Sequence, residues 1–209
     1  DLFGNGLPDQ LSLTVGAITT VAVFLLFLST GMIYASVKFL QEWSSALTVI
    51  NYTLFGGASG FTLAAAYAAY ADSSMLPFFT GWATILILAV LVTRLLTLYR
   101  NQHLKAKITM QSAIGVRHTL IAQKSMGMMG GSYNTREYFH GQGKGAIKAI
   151  TYLFLICGLL LPLPLLWLGQ SDPALLTAAF AIHYIGLLFE RWLFLAQANH
   201  PQNLYYQTV

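Results

Sequence analysis

The chain has 209 residues, of which 56% are hydrophobic and only 9% charged, with a net charge of +4. Soluble domains carry about 25% charged residues, so the composition excludes a water-soluble globular protein. The basic excess reads as cations gathered on one side of a membrane, not as a nucleic-acid surface. A single cysteine excludes a disulfide framework and any CxxC metal or redox motif.

The chain opens on Asp1, with no basic stretch ahead of an apolar one. We expect a fragment or a processed chain, not a signal peptide. A membrane span needs about 20 apolar residues. Five stretches meet that length: residues 13–33, 47–70, 76–99, 146–168 and 174–196. An isolated strand cannot satisfy its backbone in lipid, and the alternation of barrel strands is absent. The expected fold is therefore all-α, a polytopic transmembrane helix bundle of five spans forming a single membrane domain over residues 1–209.

In the second stretch, Gly56 and Gly60 form a GxxxG pair suited to close helix packing. The fourth contains Pro162 and Pro164, which should kink it. Between the third and fourth lies a long basic loop, residues 100–145. Arg100, Lys105, Lys107, Arg117, Lys124, Arg136 and Lys144 cluster here, Lys148 opens the fourth stretch, and Lys38, Arg94 and Arg191 complete the set. With five alternating spans all of these fall on one side, and every Asp falls on the other. The positive-inside rule places the loop and the C-terminus in the cytoplasm.

Ionisable groups inside a membrane are costly and usually partnered. Counting 1.5 Å per residue from the span ends puts Arg94 level with Glu190 and Arg191, so an intramembrane ion pair of Arg94 with Glu190 is expected, with Arg191 at the same depth. Glu42 and Trp43 lie at the same interface. His183 shares a helical face with Gly186 and Glu190. His183, Glu190 and Glu42 are the candidates for a quinone contact or a proton path, although each is also explained as a satisfied structural group. A transmembrane bis-histidine haem needs paired histidines, so no haem is expected. No metal-ligand spacing and no nucleophile–His–acid set is present; no metal ligand and no catalytic residue is assigned.

Residues 105–124 have helical character, with Met110, Ala113, Ile114 and Ile121 near one side, suited to lying on the membrane surface or over the mouth of the bundle. Residues 126–145 are rich in Gly, Met, Tyr and Phe, a composition suited to docking a protein. Met128, Tyr133, Asn134, Arg136, Tyr138 and Phe139 are the docking candidates.

Four stretches together resemble a known family: TGMIYASVKFLQEW (Thr30 to Trp43), NYTLFGGASGFTLAAA (Asn51 to Ala66), SMGMMGGSYNTREYFHG (Ser125 to Gly141) and FERWLFLAQANHPQNLYYQ (Phe189 to Gln207). They are similar to the DmsC-type membrane-anchor subunit of dimethyl sulfoxide reductase and to the related anchor of a membrane-bound sulfite dehydrogenase. The resemblance implies a haem-free, non-catalytic anchor subunit in the bacterial cytoplasmic (inner) membrane. It would tether an iron–sulfur electron-transfer subunit and a molybdopterin catalytic subunit, and couple them to the quinone pool. Iron–sulfur clusters and molybdopterin would then belong to the partners, with quinone as the exchanging substrate and membrane lipid as surroundings. It also implies further helices ahead of Asp1, where the family's quinone determinants largely lie, so no quinone ligand is carried over. The cytoplasmic loop leans towards the sulfite-oxidising type. A small-solute transporter or channel is the alternative, for which neither inverted symmetry nor a matched pair of broken spans is visible.

Overall fold

The computed structural model describes residues 9–105, 107–122, 124 and 144–201. Among these the chain is all helical, with no strand. The helices are α1 (Asp9–Ala35), α2 (Ala46–Tyr70), α3 (Leu76–Gln102), α4 (Met110–Ile114), α5 (Lys144–Leu155), α6 (Pro162–Leu168) and α7 (Pro173–Ala196). A π-helical turn (Ile156–Leu160) joins α5 to α6, and a 3-10 turn (Gly169–Ser171) precedes α7.

Four helical stretches are long and apolar enough to cross a membrane: Gln10–Ala35, Leu76–Gln102, Gly145–Leu168 and Pro173–Ala196. The chain is thus a membrane protein with four such helices. The expected second span, α2, has 25 residues but is not among them. Its Asn, Thr, Ser and Gly residues lower its hydropathy. α2 packs against α1, α3 and α7, so protein instead of lipid covers much of its surface.

Helix starts follow from local chemistry. Ser45 caps α2 by accepting from Leu47 N–H at 3.2 Å. Asp172 caps α7 by accepting from Ala174 N–H at 2.8 Å, with Pro173 in the first turn, where a missing N–H costs nothing. α3 buries Thr80, Ala83, Ile87, Val90, Arg94 and Thr97. α7 buries Leu176, Ala179, His183, Gly186, Glu190 and Leu193. Both stripes alternate spacings of three and four, which keeps one face on a partner helix along its whole length. The core between them holds Phe55, Ala58, Ile87, Val90, Phe154, Leu159, Leu166 and Leu193. α1 packs along α2 and leaves Leu13, Ile18, Val21, Phe24, Leu26 and Ile33 exposed, as lipid-facing positions are.

Two expectations change in form. The fourth span is not one helix with a simple kink. Pro162 and Pro164 have no N–H to give, and the chain accommodates them through the π turn, where Leu161 N–H donates to Ile156 O at 2.8 Å. Among the described residues of 105–124 the helix is confined to Met110–Ile114. Thr109 and Ser112 form a capping box at its start, and Gly115, at φ 72°, ends it in the left-handed region.

Candidate functional site

The ends of α2, α3 and α7 meet the loop after α1 at one end of the bundle, and four of the sequence candidates converge there. Arg94 Nη2 lies 2.9 Å from Glu190 Oε1, with side chains 3% and 0% exposed. The two atoms are not aligned for a hydrogen bond, so this contact is Coulombic. Arg191 donates from Nε to Glu190 Oε2 at 2.6 Å, and its Nη2 contacts the same oxygen. Glu190 is therefore held between two guanidiniums.

Two cations against one carboxylate leave an excess positive charge, and ring faces meet it. Arg191 lies over Tyr52 at 4.2 Å and over Phe194 at 4.9 Å; Arg94 lies over Phe154 at 5.6 Å. The electron-rich ring face attracts a cation most strongly where water is excluded. Tyr52 and Phe194 belong to an aromatic group with Tyr34 and Trp43: Tyr34 stacks on Tyr52 at 5.5 Å and Trp43 on Phe194 at 5.2 Å. Trp43 Nε1 donates to Phe194 O at 3.0 Å, tying the loop after α1 to α7.

Beside the ion cluster, Asn51 of α2 bridges two threonines one turn apart on α3. It donates to Thr97 Oγ1 at 2.9 Å and accepts from Thr93 Oγ1 at 2.7 Å. A small cleft lies between these groups, lined by Glu42, Thr48, Asn51, Tyr52, Arg94, Thr97, Asn101 and Arg191 among others. It has room for about one water.

Glu42 sits in the loop between α1 and α2, outside the spans. Burial pushes its carboxyl above the ordinary value of 4.5, opposed by backbone N–H groups of Glu42 and Asn199 and by the Arg100 charge. Its Oε2 has no hydrogen-bond partner among the described residues. A second cleft, of ≈ 120 Å³, opens on its other side, between Phe39, Gln41, Leu104, Lys107, Ile108, Asn199, His200 and Pro201.

His183 stands apart, two turns along α7 from Glu190. It is fully buried, and Nδ1 lies 2.6 Å from Gly158 O in the π turn. Pro162, four residues after Gly158, lacks the N–H that would have reached that carbonyl, and His183 Nδ1–H donates in its place. The ring's role here is to close a broken helix. Its Nε2 has no hydrogen-bond partner among the described residues.

The glycine pair separates. A Cβ at Gly56 would press on the Phe27 ring of α1, whereas one at Gly60 would meet nothing within 4 Å. Among the described residues, Gly60 thus meets no neighbouring helix. The close approach occurs between α7 and the π turn, where a Cβ at Gly186 would fall on the backbone of Gly158 and within 2.7 Å of Cys157 C. The docking candidates Met128, Tyr133, Asn134, Arg136, Tyr138 and Phe139 lie outside the described residues. Among the described residues no three His, Cys, Asp or Glu side chains group to hold a metal.

Sequence reasoning missed Asn51 with its two threonines, the aromatic group around Arg191, and the cleft holding Lys107 and His200. The first carries a signal in hindsight: an amide in an apolar helix facing threonines at a spacing of four. The cleft carries none, since its three segments are far apart in the chain.

The chain is similar to a sulfite dehydrogenase subunit of Allochromatium vinosum, 48% identical over 210 residues. That similarity covers 99% of this chain and 64% of the relative's length. No protein-family model matches, and no solved structure does.

Proposed function

We propose that the chain is a membrane subunit of a sulfite-oxidising complex, anchoring the catalytic machinery and passing its electrons to a lipid-soluble quinone. The observation that carries this is the 48% identity, running through almost the whole chain, to a protein named as a sulfite dehydrogenase subunit. Chemistry supports the second half. Oxidation of sulfite to sulfate releases two electrons, and a subunit made of apolar helices is placed to hand them to a carrier dissolved in the bilayer. In this reading α2 is the fifth span, protected by α1, α3 and α7, and the basic loop and the C-terminus face the cytoplasm of a bacterial inner membrane. Iron–sulfur and molybdopterin subunits dock on that side, with residues 125–141 as their contact.

Deleting the gene in a sulfite-oxidising host tests this. Sulfite oxidation measured with a soluble acceptor should move from the membrane to the soluble fraction, and quinone-linked oxidation should cease. Sulfite oxidation that stays membrane-bound and quinone-linked without this chain overturns the proposal.

A further inference from the structure

Resting on the reading that electrons leave through a quinone, we propose that the quinone head group binds in the cleft between residues 39–42, 107–108 and 199–201, with Lys107 and Glu42 meeting its two oxygens. The cleft is ≈ 120 Å³, on the scale of a substituted ring. Its walls are Phe39, Leu104, Ile108 and Pro201, and its polar groups are Gln41, Glu42, Lys107, Asn199 and His200. An apolar slot with a few placed polar groups suits a flat ring carrying two acceptor oxygens. The Phe39 and His200 rings meet edge to face at 5.3 Å, giving the slot an aromatic wall.

Both sides of the slot are pinned. Arg100 donates to Gln41 O at 2.8 Å and to Glu42 O at 3.5 Å, which holds the loop after α1 on the end of α3. With its amide oxygen turned to Lys107 N–H at 3.1 Å, Gln41 also donates to Lys105 O at 3.0 Å, which ties both lysines to the loop after α1. The slot lies just beyond the ends of α3 and α7.

Glu42 also lines the neighbouring cleft with Arg94 and Arg191, so its carboxyl touches both spaces. The charged and titratable groups around it are Arg100 on α3, Lys107 and His200 in the slot, and Arg94 and Arg191 across the smaller cleft, with Glu190 between those two. Electrons and protons balance across the two half-reactions. Sulfite and water become sulfate, two protons and two electrons on the catalytic partner, and an iron–sulfur partner carries the electrons to the quinone. The quinone takes both electrons and two protons, one through the Glu42 carboxyl and one from solvent, and leaves as quinol. Burial, which favours a protonated Glu42, supports that role.

The test uses membranes containing the assembled complex, with decylubiquinone as acceptor and every rate divided by the ferricyanide-linked rate of the same membranes. Lys107→Ala should raise the KM for decylubiquinone about tenfold, the loss of one charged hydrogen bond, and Lys107→Arg should restore most of it. A photoreactive azidoquinone should label Leu104, residues 107–108 or residues 199–201 and be displaced by decylubiquinone. An unchanged KM in both Lys107→Ala and Glu42→Gln overturns the site, as does label found elsewhere or displaced only by anionic phospholipid. Quinone-linked oxidation itself survives in those outcomes. Wild-type membranes that reduce ferricyanide but never decylubiquinone overturn the underlying functional reading, and the site with it.

Discussion

Glu190 is held between Arg94 and Arg191, and removing its charge leaves two guanidiniums facing each other in a buried site. Breaking a buried ionic group by removing one partner costs about 3–5 kcal/mol. Arg191 is 31% exposed and recovers some hydration, so the lower end applies. Glu190→Gln should therefore lower the melting temperature of the purified protein, measured in detergent. A melting temperature equal to the wild type's would mean that the carboxylate does not hold the two arginines.

Glu42 gives a prediction of opposite sign. Its folded-state pKa is raised, so the folded protein binds more protons than the unfolded chain over the window above 4.5. Stability from this group is highest below that value and is lost as pH rises through the raised pKa. Glu42→Gln should stabilise the protein at neutral pH, with the difference fading as pH falls towards 4.5; melting curves across pH read it directly.

At the scale of the helix, the junction of α7 with the α5–α6 break is the least forgiving contact. Gly186 lies against Gly158 and Cys157 backbone, which cannot move aside as a flexible side chain can. Gly186→Ala should therefore force α7 away from the π turn and lengthen the His183–Gly158 bond. Gly60→Ala should be neutral or stabilising by up to about 1 kcal/mol, since a helical glycine gains from a Cβ that meets nothing. Parallel melting of the two variants checks the contrast, and equal losses would refute it. The reason lies in rotation around α2. Its buried stripe passes through Phe55, Ala58, Thr62 and Ala65, and Gly60, two residues from Ala58, falls on the opposite side.

For the whole molecule the prediction concerns α2, which crosses the membrane in the proposed reading. Five crossings put the turn at Asp72 on the opposite face from Lys38, in the loop between α1 and α2, because only α2 separates the two positions. Single cysteines at these two positions, in a Cys157→Ser background, should be labelled by a membrane-impermeant maleimide from opposite sides of sealed vesicles. Labelling from the same side would refute five crossings.

Much of this site was legible in one dimension. Arg94 and Glu190 could be matched in depth because a helix advances by a constant rise, and a charge in lipid demands a partner. The prolines announced a break in the fourth span. They did not announce its π form, nor that His183 would serve the carbonyl that Pro162 leaves without its helical donor, because that depends on α7 lying at backbone distance. Residues 105–124 showed helical periodicity, yet Gly115 at φ 72° stops the helix after five residues.

The apolar character of the helices and their approximate bounds follow from the chain alone, because hydropathy, caps and helical rise act over a few neighbouring residues. The second arginine on Glu190, the rings that face both guanidiniums and the slot between residues 39–42, 107–108 and 199–201 are decided by the tertiary structure. Their members are separated by up to about 160 positions, and only the antiparallel packing of whole helices brings those ends together.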